Sequence, residues 1–152
     1  MSGDEECVGV VVLVARTGAE LELLFLRRSG GRFADQWWPV TGTLAVGEDP
    51  VSGALRELAE ETGLAPDGVY SAGISVPHAE EDAHLEVFVA VVEPDAAVTL
   101  NWEHSGFRWC SAAEARALSP ASSHRVLSAG RRIARARPPS QLVWPAPSAK
   151  AV

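Results

Sequence analysis

The stretch GTLAVGEDPVSGALRELAEETGL, Gly42 to Leu64, decides how the rest of the chain is read. Glu57, Glu60 and Glu61 stand at i, i+3 and i+4, which puts three carboxylates on one helix face, able to point at a single site. Val51, Leu55, Leu58, Ala59 and Thr62 fall on the opposite side, so the expected helix docks by an apolar stripe and presents an acidic one. Its ends are marked. Asp49 can cap, Pro50 suits the first turn, and Glu48 lies near the positive end of the helix dipole. Gly63 stands where a left-handed cap belongs, and Pro66 blocks continuation.

Carboxylates held together repel one another unless a cation sits between them. Hard oxygen donors without companion His or Cys suit Mg²⁺, or Mn²⁺, better than zinc. Magnesium keeps waters and favours phosphate oxygens, so such a cluster most naturally serves a polyphosphate, and one carboxylate can take the proton of an attacking water. The competing reading is a solvated acidic face, which is what most helical charge runs are. The flanking residues decide between them.

A chain of 152 residues, 47% hydrophobic, has the size and the core-forming capacity of one domain, expected over 1–152 with 138–152 as a proline-bearing tail. The net charge of −7 disfavours bulk nucleic acid and anionic membranes as partners. The start MSGDEECVG is acidic, and the apolar run Val8 to Ala15 is too short to span a bilayer, so a cytoplasmic protein is expected. Cys7 and Cys110 lie in apolar contexts with no CxxC or Cys/His cluster along the sequence, which predicts two buried free thiols and no zinc site.

Val8 to Ala15 and Leu21 to Leu26 read as a hairpin or neighbouring strands, followed by the loop SGGRFADQ and a short β-prone piece from Val40 to Val46. Beyond the helix, Val69 to Val76 and Leu85 to Val92 read as strands flanking an acidic loop, and Gly106 to Cys110 as a further short strand. Ser111 with Glu114 forms a capping-box pattern, and a last helix is expected from Ser122 or Ser123 to Arg137. The tail from Pro138 reads as irregular, with Leu142, Val143 and Trp144 available to pin it. The order of strands, helix, strands, then helices predicts a mixed sheet with helices on it.

Gly42, Glu48 and the run Arg56-Glu57-Leu58-Ala59-Glu60-Glu61-Thr62-Gly63-Leu64 match every fixed position of the Nudix box, and the chain resembles the Nudix hydrolases. The resemblance implies an α/β/α sandwich around a mixed sheet, a divalent metal (Mg²⁺, with Mn²⁺ possible), and hydrolysis of a nucleotide-like polyphosphate by water attack on phosphorus. Carried over by position, Glu60 and Glu61 correspond to the main metal ligands and Glu57 to a further ligand or the base. Arg56 orients Glu57, Glu48 supports the site, and the Thr41 carbonyl is a further candidate ligand. Trp38-Pro39-Val40-Thr41-Gly42, Trp102-Glu103-His104-Ser105-Gly106-Phe107-Arg108-Trp109 and, more loosely, Ser122-Ser123-His124-Arg125 are similar to segments of the bacterial dihydroneopterin triphosphate and dATP pyrophosphohydrolases. That branch implies release of a monophosphate and pyrophosphate. The acidic loop Ala79 to Asp82 and Trp38-Pro39 depart from it.

The same alignment makes Glu103 a candidate ligand or base from outside the helix and His104 a substrate contact, against the plainer readings of an exposed loop acid and a structural histidine. Arg27 and Arg28 close a strand before the loop, where a guanidinium can meet phosphate oxygens. Phe33, Trp37 and Trp38 are placed to stack on a base or to fill the core. Glu86 is read as solvent-facing, and the arginines 131, 132, 135 and 137 as a solvated helix face. Dinucleoside polyphosphates, nucleotide sugars and RNA 5′ ends are alternative substrates, and a non-catalytic nucleotide sensor is the rival from another class. A homodimer built on strand edges near Val8 or Leu85 is a further expectation.

Overall fold

In the computed structural model, residues 6–78 and 82–145 are described. The β-branched run near the start becomes β1 (Glu6–Thr17), which turns back antiparallel into β2 (Leu21–Arg28), with Ala15 opposite Leu23. Then follow β3 (Trp37–Trp38), β4 (Val40–Thr43), α1 (Pro50–Thr62), β5 (Gly68–Pro77), β6 (Ala83–Val92) and β7 (His104–Cys110). The chain closes with α2 (Ala112–Leu118), α3 (His124–Ala136) and β8 (Leu142–Trp144).

All strands join one sheet in the order β3-β2-β1-β6-β5-β8, with β4 paired to β1 and β7 to β2. β1 and β6 run parallel and the other pairs antiparallel, so the sheet is mixed. Alternation along β1 sends Val11, Leu13 and Ala15 to one face and Val10, Val12 and Val14 to the other. Both faces are covered, which is why the strand reads as an unbroken apolar run. On the first face Phe25 and Val89 meet Leu127 and Ile133 of α3 and Ala115 of α2; on the second, Leu24 and Phe88 meet Ala54 and Leu58 of α1. Each large side chain buried there contributes about 1.5–3 kcal/mol. The result is the expected α/β/α sandwich, with α1 alone on the second face.

Several expectations change. Ala59 is exposed, while Glu57 and Glu61 are buried beside Leu58, so the apolar and acidic stripes of α1 are not opposite faces. Among the described residues, β1 pairs with β2, β4 and β6, and β6 with β1 and β5, so the strand edges near Val8 and Leu85 are occupied within the sheet. The tail is not irregular throughout: a short 3-10 turn at Pro139–Gln141 leads into β8, which pairs with β5 by Leu142 opposite Tyr70 and Trp144 opposite Val69. Gln141 Nε2 donates to the Ser71 carbonyl at 2.9 Å. Cys110 is buried as expected, but Cys7 only half so, and Glu86 is half-buried instead of solvent-facing. Most of the acidic loop from Ala79 and the tail proline Pro147 lie outside the described residues. Among the described residues no helix is long and apolar enough to cross a membrane.

Candidate active site

The site is built where α1 crosses β4. Asp49 caps the helix by accepting the Ser52 N–H at 3.2 Å and the Ser52 hydroxyl at 2.7 Å, and Gly63 ends it at φ 69°. Those two local devices fix where the helix starts and stops, and hence which residues face the sheet. Gly42 of β4 is the point of closest approach. A Cβ there would overlap the Glu57 carboxylate, so only glycine lets the acid lie flat on the strand.

Arg56 is the hub of the exposed half. Its Nε and Nη2 each lie 2.8 Å from an oxygen of Glu48, a bidentate pair, and its Nη1 donates to Glu57 Oε1 at 2.8 Å and to Glu60 Oε1 at 3.2 Å. Nη2 also reaches the Thr43 carbonyl at 3.1 Å. Hydrogen bonds from Arg56, with a further one from the Ala45 N–H, hold the Glu48 carboxyl down at about 2. The same carboxylates raise the Arg56 pKa beyond its ordinary value. One guanidinium thus orients three acids at once.

Glu61 is the opposite case. It is 1% exposed, and no hydrogen bond of full geometry reaches either carboxylate oxygen among the described residues, although the Glu57 carboxyl and the Thr41 backbone lie close enough to act on it. Burial first, then the neighbouring Glu57, push its carboxyl up to about 10. His104 Nε2 lies 3.7 Å from Glu61 Oε1, too far for a hydrogen bond. Burial lowers the His104 pKa, so the ring is neutral near pH 7 and supplies no charge to Glu61. An oxygen-only cluster with a buried carboxyl that no full hydrogen bond reaches fits a hard divalent cation, which would supply the missing positive charge.

A groove of about 910 Å³ opens beside the cluster, and Arg28, Trp38, Thr41, Glu57, Glu60 and Glu103 share its lining. With Phe33, seven of the sequence-derived candidates therefore meet at one place. Arg56 and Glu48 stand next to them, and Glu61 lies behind. Three others do not line the groove. Arg27 is exposed and paired with Asp35 at 2.9 Å. Trp37 lines a neighbouring apolar cavity of about 590 Å³, which shares Trp38 and Thr41 with the groove. His104, a candidate substrate contact, is 5% exposed and stands behind Glu61, with no hydrogen-bond partner for its Nδ1 among the described residues.

Asn101 was missed. Its Nδ2 donates to Glu103 Oε1 at 3.1 Å and its Oδ1 accepts the Glu103 N–H at 3.1 Å, fixing the acid at the rim. The Asx spacing of Asn101 and Glu103 is the signal that could have found it. Trp102 also lines the groove and is 85% exposed. Phe33, read from the sequence as a stacking candidate, lies 5.0 Å from Trp38, ring to ring, and forms part of the same wall.

The site is thus a helix with buried acids laid over a glycine strand, on a mixed sheet with helices on both faces. The chain belongs to the NUDIX domain family, whose model matches residues 6–129. Among solved structures it is similar to a C. elegans Ap4A hydrolase (TM-score 0.73, 20% identity, covering 84% of this chain and 97% of that one). It is also similar to the E. coli dihydroneopterin triphosphate pyrophosphohydrolase (TM-score 0.64, 21% identity, covering 85% and 95%). At these identities the likeness is one of fold. A curated relative, an octanoyltransferase of Myxococcus xanthus, is 36% identical over 108 residues; the match takes in 65% of this chain, which spans 29% of that protein's length.

Proposed function

We propose that the chain is a divalent-metal-dependent pyrophosphohydrolase that cleaves a (deoxy)nucleoside triphosphate or a related pterin triphosphate to the monophosphate and pyrophosphate. The observation that carries the reading is Glu61, a buried carboxyl that no hydrogen bond of full geometry reaches among the described residues, set behind Glu57 and Glu60 at the groove. Glu60 and Glu61 would hold Mg²⁺, or Mn²⁺, with Glu57, Glu103 and the Thr41 carbonyl as further donors. Bound there, the ion supplies positive charge for phosphate oxygens and acidity for a water.

The remaining work falls to the chain's own groups. Arg56 fixes one oxygen of Glu57, which leaves the other to accept a proton from the attacking water. The water oxygen bonds to phosphorus, the anhydride P–O bond breaks, and pyrophosphate leaves with the bond's electron pair. Glu48 keeps Arg56 in place. Arg28 offers its guanidinium to phosphate oxygens, and Phe33, Trp38 and Trp37 offer faces to a base. A cytoplasmic setting and action as one unit over 1–152 belong to the same reading.

Dinucleoside polyphosphates are the second reading, favoured by the apolar cavity that adjoins the groove, with room for a second ring system, and by the likeness to an Ap4A hydrolase. The deciding experiment is a panel of nucleoside triphosphates, pterin triphosphate, dinucleoside polyphosphates and nucleotide sugars incubated with Mg²⁺, the products separated by chromatography. Monophosphate plus pyrophosphate from a triphosphate supports the first reading, and preferential turnover of a dinucleoside polyphosphate supports the second. Binding without turnover of any compound would leave a nucleotide sensor.

A further inference from the structure

Outside the groove, the fold assembles a cluster that the sequence does not show as one. Cys7 and His84 are remote in the chain, yet the parallel pairing of β1 and β6 sets them directly opposite, with Glu86 two residues further along β6. A register shift between Cys7 and Gly9 interrupts the ladder at this point. Because side chains alternate across a strand, that shift puts Cys7 on the face His84 and Glu86 share. The thiol sulfur, an imidazole nitrogen and a carboxylate oxygen all lie within 4.8 Å of one another, and all three residues are half-buried.

A tetrahedral zinc ion has bonds of about 2.3 Å to sulfur and about 2.0 Å to nitrogen, which spaces its ligands about 3.5 Å apart. Closure by roughly 1 Å through side-chain rotation would bring the three donors to that spacing. A thiolate beside imidazole and carboxylate selects a borderline ion and offers little to magnesium. Three protein ligands leave a fourth position for water. We propose that Cys7, His84 and Glu86 form a second metal site, distinct from the oxygen-only cluster of α1, that takes Zn²⁺ or an ion of similar softness.

Its place in the fold suggests what it does. The Glu6 N–H donates to the Asp82 carbonyl at 2.7 Å and the His78 N–H to the Ala83 carbonyl at 3.0 Å, so the start of β1 and the β5–β6 connection already meet here. His78 of that connection, with Pro77 at the end of β5 and Leu85 in β6, lines the candidate groove. An ion at the cluster clips one wall of the groove to the central strand. Along the sheet the cluster is set off from Gly42, the strand residue beneath Glu57, by Val10, which stands opposite both Gly42 and Glu86.

The test is a titration of the metal-free full chain with Co²⁺ under reducing conditions, read by thiolate-to-cobalt charge-transfer absorption. The expected result is one equivalent per chain, displaced by Zn²⁺ and not by excess Mg²⁺. The band should vanish in Cys7→Ser, persist in Cys110→Ser and Glu60→Gln, and need at least tenfold more Co²⁺ in His84→Gln. Circular dichroism checks that each variant folds, and His84→Gln with Glu86→Gln carries the test if Cys7→Ser does not. No charge-transfer band, or a band unchanged in His84→Gln and Glu86→Gln, overturns the proposal, and neither result bears on the hydrolytic reading.

Discussion

α1 and α3 are both thirteen residues long and cover opposite faces of the same sheet, but they bury different things. α3 turns Val126, Leu127, Ala129, Gly130, Ile133 and Ala134 inward and leaves Arg132 and Arg135 exposed. α1 buries Glu57, Glu61 and Thr62 with Ala54 and Leu58. A helix that only needed to dock would follow α3, because burying a carboxyl group is costly whether it stays charged or takes up a proton. The difference marks α1 as the working helix and α3 as scaffold. The α3 side carries charge too: Arg131 lies partly under the surface with its Nη1 on the Leu21 carbonyl at 3.1 Å, but that contact ties the helix to β2.

The contrast can be broken most sharply at Glu57. Glu57→Gln keeps the shape and most hydrogen bonds but removes the proposed base, and turnover should fall by about 10²–10⁴ with the melting temperature little changed. Unchanged turnover in steady-state assays would remove the role assigned to it. Next in size is the docking that both helices share. Leu58→Ala beneath α1 and Leu127→Ala beneath α3 should each cost about 2–5 kcal/mol in denaturant unfolding, since both side chains are buried in the core. A loss at only one of them would mean the two faces are not equally packed.

A third prediction concerns the acid that Arg56 holds. With its carboxyl lowered to about 2, Glu48 gives a stabilising contribution that is fully present above the ordinary glutamate value of 4.5 and lost progressively as pH falls from there through about 2. A carboxyl-carbon NMR titration should place its midpoint well below those of exposed glutamates, and a midpoint near 4.5 would dissolve the Arg56 hub. The smallest effect belongs to α3: Arg132→Gln and Arg135→Gln should shift stability by less than about 0.5 kcal/mol and leave turnover unchanged. A strong loss of activity there would contradict its role as scaffold.

What the sequence made legible was local. The caps of α1 at Asp49 and Gly63, the β1–β2 hairpin and the capping box at Ser111, where Glu114 Oε1 accepts the Ser111 N–H at 2.8 Å, are written within a few residues. The groove's membership was mostly legible as well, through the box and the segment around Glu103. The inward turn of the acids was not, because a helical wheel assumes that charge faces water, and only the glycine floor of β4 lets Glu57 pack inward. Arg27 and Arg28 looked equivalent, yet strand alternation and Asp35 separate them. β8 was hidden by its prolines, since a three-residue strand has no periodicity of its own and exists through its pairing with β5. The Cys7, His84 and Glu86 cluster depends on a parallel register that no stretch of sequence displays.

The account rests on Glu61 as a carboxylate held for a cation, and thermal unfolding of the metal-free chain against Mg²⁺ concentration tests that most directly. A ligand that binds only the folded state raises its stability as concentration passes the dissociation constant. The account predicts a rising melting temperature for the unaltered chain and a flat response for Glu61→Gln, whose melting temperature without metal should be equal or higher. The same rise in both proteins would contradict it.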